Sequence, residues 1–403
     1  MDIEFGPTDV RGGVSRRALL AGGLTLTLTL SACNSSWLPS PGAEPPAAGA
    51  PPSGAFGPTV GETLGTGPVR VGMILPLTQN GAPSPIGVSM RNAAHLAVDE
   101  FAGPSITLMI EDDHSSPDGA AQAAQALIGA GAQLILGPVY ANNVRQAAGA
   151  AKAAGRPMIA FSTDAGVASP GVYLLSFLIE SYVDRIAEFA FSRGKKAFGV
   201  MAPQNDYGSV AVAEFQQTAG RLNAPVVASA RYAPGQPQEA TPQIAAVAGQ
   251  IDALFIPEQA EGMPAVASAL AAANVKTQLL GTGVWNDARV LRLPQLQGAW
   301  FAAPDNAGFN ALAARYKAKF GAEPTRLATL SYDAVTLAGA LAHGSAAAPF
   351  SAQALTNASG FNGADGVFRF LPDGRNERGL AVMEIDNNAA VTISPAPRSF
   401  AGG

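Results

Sequence analysis

From residue 69 onward, the chain alternates short apolar runs with longer stretches in which apolar residues recur at helical spacing. Residues 69–75 read VRVGMIL, and helical spacing follows from about 86 to 101. Further strand-like runs occur at 106–110, 133–136 and 157–161, and after a restart near residue 181 at 196–201, 225–230, 252–257 and 278–280. Short buried strands that alternate with helices favour parallel sheets with right-handed crossovers. The sequence therefore predicts an α/β fold with two doubly wound, Rossmann-like lobes.

The composition argues against several classes of protein. A chain of 403 residues with 48% hydrophobic and 14% charged residues can bury a large core. Its formal net charge of -5 gives no basic field for a nucleic-acid partner. One cysteine and three histidines leave little room for a metal site, and the Gly-x-Ser-x-Gly, phosphate-loop and His-Glu-x-x-His motifs are missing from the sequence. We therefore predict no catalytic residue, no metal and no cofactor.

Residues 1–32 have the features of an export signal peptide. Arg16 and Arg17 precede a weakly apolar stretch at 19–30. At 1.5 Å per residue such a stretch spans about 18 Å, which is short of the roughly 30 Å hydrocarbon core of a bilayer. The paired arginines resemble a twin-arginine signal, and an ordinary Sec signal is the alternative.

Cys33, the only cysteine, ends a motif at residues 30–33 (LSAC) that resembles a bacterial lipobox. We expect lipidation of Cys33, which anchors a protein on the periplasmic side of the inner or the outer envelope membrane. Residues 33–68 are rich in Pro, Gly and Ala and have no periodic apolar pattern. This composition predicts a disordered tether rather than a domain.

Motifs along the chain resemble those of type 1 periplasmic binding proteins, the family of leucine/isoleucine/valine-binding proteins. They are a Pro/Gly-rich loop after the first strand, Glu111-Asp112-Asp113, Gly137-Pro138, Phe161-Ser162-Thr163, Asn205-Asp206-Tyr207-Gly208 and Tyr332-Asp333-Ala334-Val335. The resemblance covers residues 69–394 and implies two lobes around a central cleft, joined by three crossings. We expect these crossings near Phe177, Ala303 and Gly363. The lobes are then 69–177 plus 303–362 for lobe 1, and 178–302 plus 363–394 for lobe 2.

Ligands of doubly wound folds bind at the loops that follow the carboxyl ends of the strands. In this sequence those loops contribute ten polar and aromatic candidates: Thr78, Gln79, Asn80, Tyr140, Asn142, Ser162, Thr163, Tyr207, Gln259 and Trp285. The resemblance implies that Ser162 and Thr163 bind the carboxylate of an amino acid. The acid that holds the ammonium group is expected after Leu280, where the sequence has Gly-Thr-Gly. Asp287 lies nearby, a turn later, and Glu258 or Asp164 is the alternative. Helix capping and packing within the lobes are competing roles for these candidates.

Two longer stretches are similar to the penicillin-binding protein activator branch of this fold. They are residues 161–177 and residues 360–382. The resemblance implies a non-enzymatic envelope lipoprotein that regulates peptidoglycan synthesis by contact with a penicillin-binding protein. The alternative is the solute-binding component of an ABC importer, with a permease as its partner and an amino acid or another small polar molecule as its ligand. A hydrolase is a third hypothesis, for which the sequence has no motif.

Overall fold

The structure is a computed structural model that describes residues 61–344 and 348–400. The predicted signal peptide, the predicted lipidation of Cys33 and the first part of the predicted tether lie outside these residues. Across the two described ranges, no helix combines the length and the apolar character that a membrane crossing requires.

The first part of the described chain forms a six-stranded sheet with helices on both faces and a separate two-stranded hairpin, β3–β4. Its strands are β1 (Glu62–Leu64), β2 (Val69–Leu75), β3 (Thr78–Gln79), β4 (Ala82–Pro83), β5 (Ile106–Asp112), β6 (Leu134–Leu136), β7 (Met158–Ala160) and β8 (Val172–Leu174). Its helices are α1 (Pro85–Ala97), α2 (Pro117–Gly129) and α3 (Ala141–Ala153). The six-stranded sheet has the order β1-β5-β2-β6-β7-β8 and is parallel except for the edge pair β1 and β5. This sheet and its helices are lobe 1.

Strand β2 shows why helices cover both faces of this sheet. Its residues from Val71 to Leu75 are all buried. Met73 belongs to the hydrophobic cluster that contains Met90 of α1, whereas Ile74 belongs to the cluster on the other face that contains Leu127 of α2. Because successive side chains of a strand point to opposite faces, an apolar strand of this kind needs a helical layer on each side.

Two Ser-Pro pairs begin the helices that follow β2 and β5. The hydroxyls of Ser84 and Ser116 accept hydrogen bonds from the backbone N–H groups of Gly87 and Gly119, and a proline follows each serine. Serine satisfies an unpaired N–H group at a helix start, and proline has the backbone angle that the first helical position needs. The loops that lead to these helices lie at the carboxyl ends of the strands, where the candidate ligand residues are found.

The chain then builds a second sheet of the same kind. Its strands are β9 (Phe198–Pro203), β10 (Val226–Tyr232), β11 (Ala253–Phe255), β12 (Gln278–Gly281) and β13 (Trp300–Ala303). Its helices are α4 (Ile179–Ser192), α5 (Asp206–Arg221), α6 (Thr241–Val247), α7 (Met263–Ala272) and α8 (Ala288–Leu291). Separate hydrophobic clusters cover the two faces of this sheet. The sheet and its helices are lobe 2.

The last part of the chain contributes to both lobes. Its helices are α9 (Asn306–Phe320), α10 (Ala328–His343) and α11 (Ala352–Leu355). Its strands are β14 (Phe361–Gly363), β15 (Gly366–Phe370), β16 (Asn376–Arg378), β17 (Ala381–Asp386) and β18 (Ala389–Ser394). Helix α10 packs against α1, and the hydroxyl of Ser331 donates to the carbonyl of Met90 at 2.8 Å. Strands β17 and β18 complete a seven-stranded sheet in lobe 2 with the order β10-β9-β11-β12-β13-β17-β18.

The third crossing differs from the position that the sequence predicts, which is near Gly363. Strands β14, β15 and β16 form a sheet of their own, and Phe368 and Phe370 of β15 are buried in the hydrophobic core of lobe 1. The chain joins the lobe 2 sheet only at Ala381. The two phenylalanines, spaced by two residues on one face of the strand, hold this segment on lobe 1.

Strand β1 lies inside the segment that the sequence assigns to the tether. Glu62 to Leu64 pair in antiparallel register with β5, and the carboxylate of Glu62 lies 2.7 Å from Nε2 of His95. The strand was not predicted because a run of three residues between glycines carries no periodic signal.

Candidate ligand-binding site

The loops after β2 and β5 are joined through the carboxylate of Asp112. It accepts hydrogen bonds from the backbone N–H groups of Leu77 at 2.9 Å and Thr78 at 3.2 Å, and from the Thr78 hydroxyl at 2.5 Å. The backbone N–H group of His114 also donates to it at 2.8 Å, and Nδ1 of His114 lies 2.8 Å from the Thr78 hydroxyl oxygen. Thr78 is therefore held at this edge of lobe 1 with its hydroxyl already in a hydrogen-bonded network.

Three other candidates of lobe 1 lie at the same edge. Gln79 and Asn80 are exposed at the turn of the β3–β4 hairpin, where Asn80 has a left-handed backbone with φ of 51°. Tyr140 directly precedes α3 and is partly buried. These side chains are accessible, in contrast to Thr78.

Ser162 and Thr163 follow β7, and they differ in accessibility. Ser162 is buried, and its hydroxyl accepts a hydrogen bond from the backbone N–H group of Asp164 at 3.1 Å. Thr163 is exposed. Asn142 is exposed on α3 and pairs with Arg145, which also forms a 2.7 Å ion pair with Asp164. The Ser162 hydroxyl therefore has a local structural role, and the Thr163 hydroxyl is the more accessible of the two.

On lobe 2, Tyr207 in the first turn of α5 meets the loop after β12. Its hydroxyl lies 2.5 Å from the hydroxyl oxygen of Thr282, which is fully buried. Burial is the main reason that the pKa of Tyr207 is raised to about 12. The hydrogen bond to Thr282 lowers this pKa, and the negative charge of Glu258 raises it further. The phenol is therefore neutral at physiological pH and can donate or accept a hydrogen bond.

Glu258, in the loop after β11, is a buried carboxylate. Its Oε2 accepts a hydrogen bond from the Tyr232 hydroxyl at 2.7 Å, and its Oε1 accepts one from the backbone N–H group of Gln259 at 2.7 Å. Only 7% of the residue is exposed, and no Lys, Arg or His of the described chain forms an ion pair with it. The side chain of Gln259 is partly buried beside it. Glu258 is thus a buried carboxyl group that has no cationic partner among the described residues.

Trp285 was predicted as a cleft residue, and the structure places it in the core of lobe 2. The residue has 0% exposure and belongs to the hydrophobic cluster that contains Phe301. A Cβ atom on Gly281 would lie 2.1 Å from the Trp285 ring, so the indole packs flat against the backbone of β12. The ring is therefore not accessible to a ligand between the lobes.

Four ionisable side chains gather where the chain crosses between the lobes, and we call them the crossing cluster. They are Arg326, Asp333, Asp365 and Arg378. Arg326 forms two hydrogen bonds with Asp365 at 3.1 and 2.5 Å, and Arg378 stacks over the Phe177 ring at 4.6 Å. Burial raises the pKa of Asp333 to about 7 against the opposing charge of Arg378.

The described residues therefore bring the candidates together in two groups, one at each sheet. The lobe 1 group is centred on Thr78 and Asp112, and the lobe 2 group on Tyr207, Thr282 and Glu258. Hydroxyls, amides and carboxylates of this kind bind small polar molecules by hydrogen bonds and ion pairs. No set of three or more His, Cys, Asp or Glu side chains in residues 61–344 and 348–400 is arranged to hold a metal ion.

Two residues of these groups were not among the sequence candidates. Asp112 was recognised only as part of an acidic turn, and Thr282 only as part of a Gly-Thr-Gly loop. Both immediately follow or end a strand, so their position at the carboxyl edge of a sheet was a usable signal. The partner of each side chain depends on a contact between distant segments, and no local spacing encodes it.

The chain matches the family model described as periplasmic binding protein over residues 68–390. Among solved structures it is similar to a putative branched-chain amino acid ABC transporter from Rhodospirillum rubrum, with 19% identity, 81% of this chain and 99% of that chain covered, and a TM-score of 0.71. A leucine binding protein from Thermotoga maritima is 21% identical, with 81% and 98% covered and a TM-score of 0.55.

A solute binding protein of an ABC transporter from R. palustris, in complex with benzoate, is also similar. It is 21% identical, with 82% of this chain and 97% of that chain covered and a TM-score of 0.54. A search of curated protein sequences finds no match.

The two-lobed α/β architecture is that of type 1 periplasmic binding proteins. The chain belongs to the periplasmic binding protein family.

Proposed function

We propose that this protein is the solute-binding component of an ABC importer and that it holds a small polar ligand between its lobes without chemical change. The observation that carries the proposal is the pair of polar groups at the carboxyl ends of the strands in two separate parallel sheets. Ligands of open α/β sheets bind at this edge. Structures described as substrate-binding proteins of ABC transporters share the fold, which supports the same proposal.

An amino acid is the ligand that the lobe 2 group supports best. The Glu258 carboxyl group is buried, and no Lys, Arg or His in residues 61–344 and 348–400 pairs with it, so the ammonium group of a ligand would supply a positive charge there. Burial of an unpaired carboxylate is costly, so a cation that pairs with it gains affinity. The hydroxyls of Thr163 and Tyr207 offer donors for a carboxylate or another polar group.

Membership in the family supports a periplasmic location for the binding domain. A lipid anchor on Cys33, a tether between the anchor and the lobes, and a membrane permease as partner complete the proposal. Regulation of a penicillin-binding protein remains a prediction from the sequence, because no contact or surface described above favours it.

A thermal-shift screen of the purified mature protein against each of the twenty L-amino acids, benzoate and 3,4-dihydroxybenzoate tests the proposal. A ligand at 100 times its Kd stabilises the folded state by about 2.7 kcal/mol, which is readily detected. If an L-amino acid binds, Glu258→Gln is expected to weaken binding about 10-fold or more. Glu261→Gln, which changes an exposed acid three residues away, serves as the matched control and should bind normally.

Other outcomes of the screen separate the remaining hypotheses. If benzoate alone binds, the importer function would still be supported, but the proposal that the ligand is an amino acid would be overturned. Absence of any binding, together with specific capture of a penicillin-binding protein from envelope extract, would favour the activator over the importer.

A further inference from the structure

His114 follows β5 at the carboxyl edge of lobe 1, and its imidazole ring is held through only one of its two nitrogens. Nδ1 lies 2.8 Å from the hydroxyl oxygen of Thr78 and 3.0 Å from Oδ2 of Asp112. Within residues 61–344 and 348–400, no hydrogen bond or ion pair engages Nε2. Because 60% of the side chain is exposed, Nε2 is open to an incoming group.

The hydrogen-bond network assigns the proton of the neutral imidazole to Nδ1. The Thr78 hydroxyl has one proton, which it donates to Oδ2 of Asp112 at 2.5 Å. Asp112 accepts three further hydrogen bonds, from the backbone N–H groups of Leu77, Thr78 and His114, as an ionised carboxylate does. Since both neighbours of Nδ1 act as acceptors, Nδ1 is the donor and Nε2 carries the lone pair. The open nitrogen is therefore a hydrogen-bond acceptor.

The turn that carries His114 is fixed by several contacts. His114 and Ser115 both have left-handed backbones, with φ of 51° and 53°, which is uncommon for residues other than glycine. The carboxylates of Asp112 and Asp113 accept hydrogen bonds from the backbone N–H groups of these two residues, at 2.8 Å each. Asn143 of α3 also donates to Asp113, at 2.8 Å. The position of the imidazole is thus set before a ligand arrives, which lowers the cost of binding.

The surroundings of Nε2 suit a neutral donor. Asp112 and Asp113 of the same turn are the ionisable groups beside the imidazole, and the segment 76–83, which packs against it through Thr78, contains none. Asp112 already accepts four hydrogen bonds, so it requires no cation from a ligand. A carboxylate only accepts hydrogen bonds and would find no donor on the neutral ring. An apolar group would leave Nε2 without a partner when the lobes close over it.

Two exposed amides lie on the hairpin that contacts His114. They belong to Gln79 and Asn80, directly after Thr78. An amide donates hydrogen bonds through its N–H groups and accepts them through its oxygen. This edge of lobe 1 therefore offers one acceptor, Nε2, and amide donors on the neighbouring hairpin, which together complement a carboxamide.

We propose that His114 is a ligand-binding residue of the cleft and that the ligand is an amino acid with a carboxamide side chain, L-glutamine or L-asparagine. The inference rests on the proposed function, in which Glu258 of lobe 2 binds the ammonium group. The carboxamide N–H group donates to Nε2 of His114, and the carboxamide oxygen accepts from Gln79 or Asn80. Asp112 is a positioning residue, because it acts on the ligand only through the imidazole.

The assignment of Nε2 as an acceptor makes the selectivity of the site depend on pH. Imidazoles ordinarily change charge between pH 5 and pH 8. A protonated ring has N–H groups at both nitrogens, so Nε2 becomes a donor and can bind the side-chain carboxylate of L-glutamate. The preference for L-glutamine over L-glutamate is therefore expected to fall as the pH falls. A ratio of two affinities cancels the effect of pH on the groups that bind the shared ammonium and α-carboxylate.

Isothermal titration calorimetry of the full mature protein with L-glutamine, L-glutamate and L-leucine tests the proposal. At pH 8 we expect L-glutamine to bind at least about 10-fold more tightly than the other two, and its preference over L-glutamate to fall about 10-fold at pH 5.5. His114→Asn, which tolerates a left-handed backbone, should make this ratio independent of pH. Exposed His343→Asn, at the end of α10, is the matched control and should keep the pH dependence. Melting temperatures verify that both variants fold.

The cleft variant Glu258→Gln separates this inference from the proposed function. It should weaken binding of L-glutamine and L-glutamate alike and leave their ratio unchanged. Binding of L-leucine at least as tight as that of L-glutamine, and lost in Glu258→Gln, would overturn the inference and leave the importer in place. A ratio that still changes with pH in His114→Asn would also overturn it. If none of the three amino acids binds up to about 10 mM, the inference is overturned as well.

A second measurement needs no variant. Diethyl pyrocarbonate acylates accessible neutral imidazoles, and mass spectrometry of the peptides identifies which histidine has reacted. Saturating L-glutamine is expected to protect His114 and to leave exposed His343 reactive. Equal modification of His114 with and without bound L-glutamine would place its ring outside the ligand site and refute the inference.

Discussion

The carboxyl group of Asp333 makes stability depend on pH in a direction opposite to that of an ordinary paired acid. It is 3% exposed on α10, and a Cβ atom on Gly363 would lie 2.3 Å from its Oδ2, so the pocket around it is tight. Arg378 and the backbone N–H group of Ala364 favour its charged form, whereas burial and the negative charge of Asp365 favour the neutral form. Burial dominates and raises the pKa of Asp333 to about 7.

The size of the effect follows from the shift. The folded state holds a proton on Asp333 up to a pH of about 7, whereas the unfolded chain releases it near its ordinary pKa of 3.8. Between these values the folded state binds one more proton, so the free energy of unfolding falls as the pH rises. A shift of about three units, at about 1.4 kcal/mol each, amounts to about 4 kcal/mol, of which about 3 kcal/mol is lost between pH 5 and pH 8.

Asp333→Asn removes this titration and keeps the shape of the side chain. We expect the free energy of unfolding of the variant, relative to that of the original protein, to rise by about 3 kcal/mol from pH 5 to pH 8. Urea unfolding at both pH values measures this difference, and exposed Asp386→Asn is the control that should show no such change. An equal difference at the two pH values would mean that Asp333 is ionised in the folded state, and the reasoning from burial would be refuted.

Three further predictions concern packing, the cleft and the anchor. Gly281→Ala places a methyl group against the Trp285 ring and is expected to lower the free energy of unfolding by about 1–3 kcal/mol. Gly220→Ala lies in an open position of α5 and should not lower it. Thermal unfolding of the two variants makes the comparison. Tyr207→Phe removes a hydroxyl proposed as a donor to the ligand and leaves the buried hydroxyl of Thr282 without its partner. Calorimetry should show that binding of the cleft ligand is about 10-fold weaker. An unchanged affinity would contradict the placement of Tyr207 at the site. Cys33→Ser should abolish incorporation of labelled fatty acid in a bacterial host, and continued labelling would refute the predicted anchor.

The sequence predicts most of the fold because buried strands in parallel sheets are continuous apolar runs. Strand β2 is an example, since helices on both faces require each of its residues from Val71 to Leu75 to be apolar or small. Strand β1 and the third crossing could not be located in this way. Strand β1 is too short to show a periodic pattern. The position of the third crossing depends on Phe368 and Phe370, which are buried in the hydrophobic core of lobe 1, and the sequence does not show in which lobe they are buried.

The candidate site is less predictable because its chemistry depends on contacts between distant segments. Tyr207 could be identified from its position after a strand, but its partner Thr282 is 75 residues away. An aromatic residue in a loop was expected to face a ligand, yet Trp285 turns into the core, where Gly281 leaves room for the ring. That no cation of the described segments pairs with Glu258 could not be predicted, since it depends on how distant parts of the chain pack around this side chain.

The central claim is that two lobes close on a small polar ligand, and a distance between the lobes tests it most directly. Spin labels on Ala82→Cys, in the hairpin after β2, and Gln204→Cys, after β9, in a Cys33→Ser background, report this distance by double electron–electron resonance. Addition of the L-amino acid that stabilises the protein in the thermal screen is predicted to shorten the distance and narrow its distribution. An identical distribution with and without that amino acid would contradict the account.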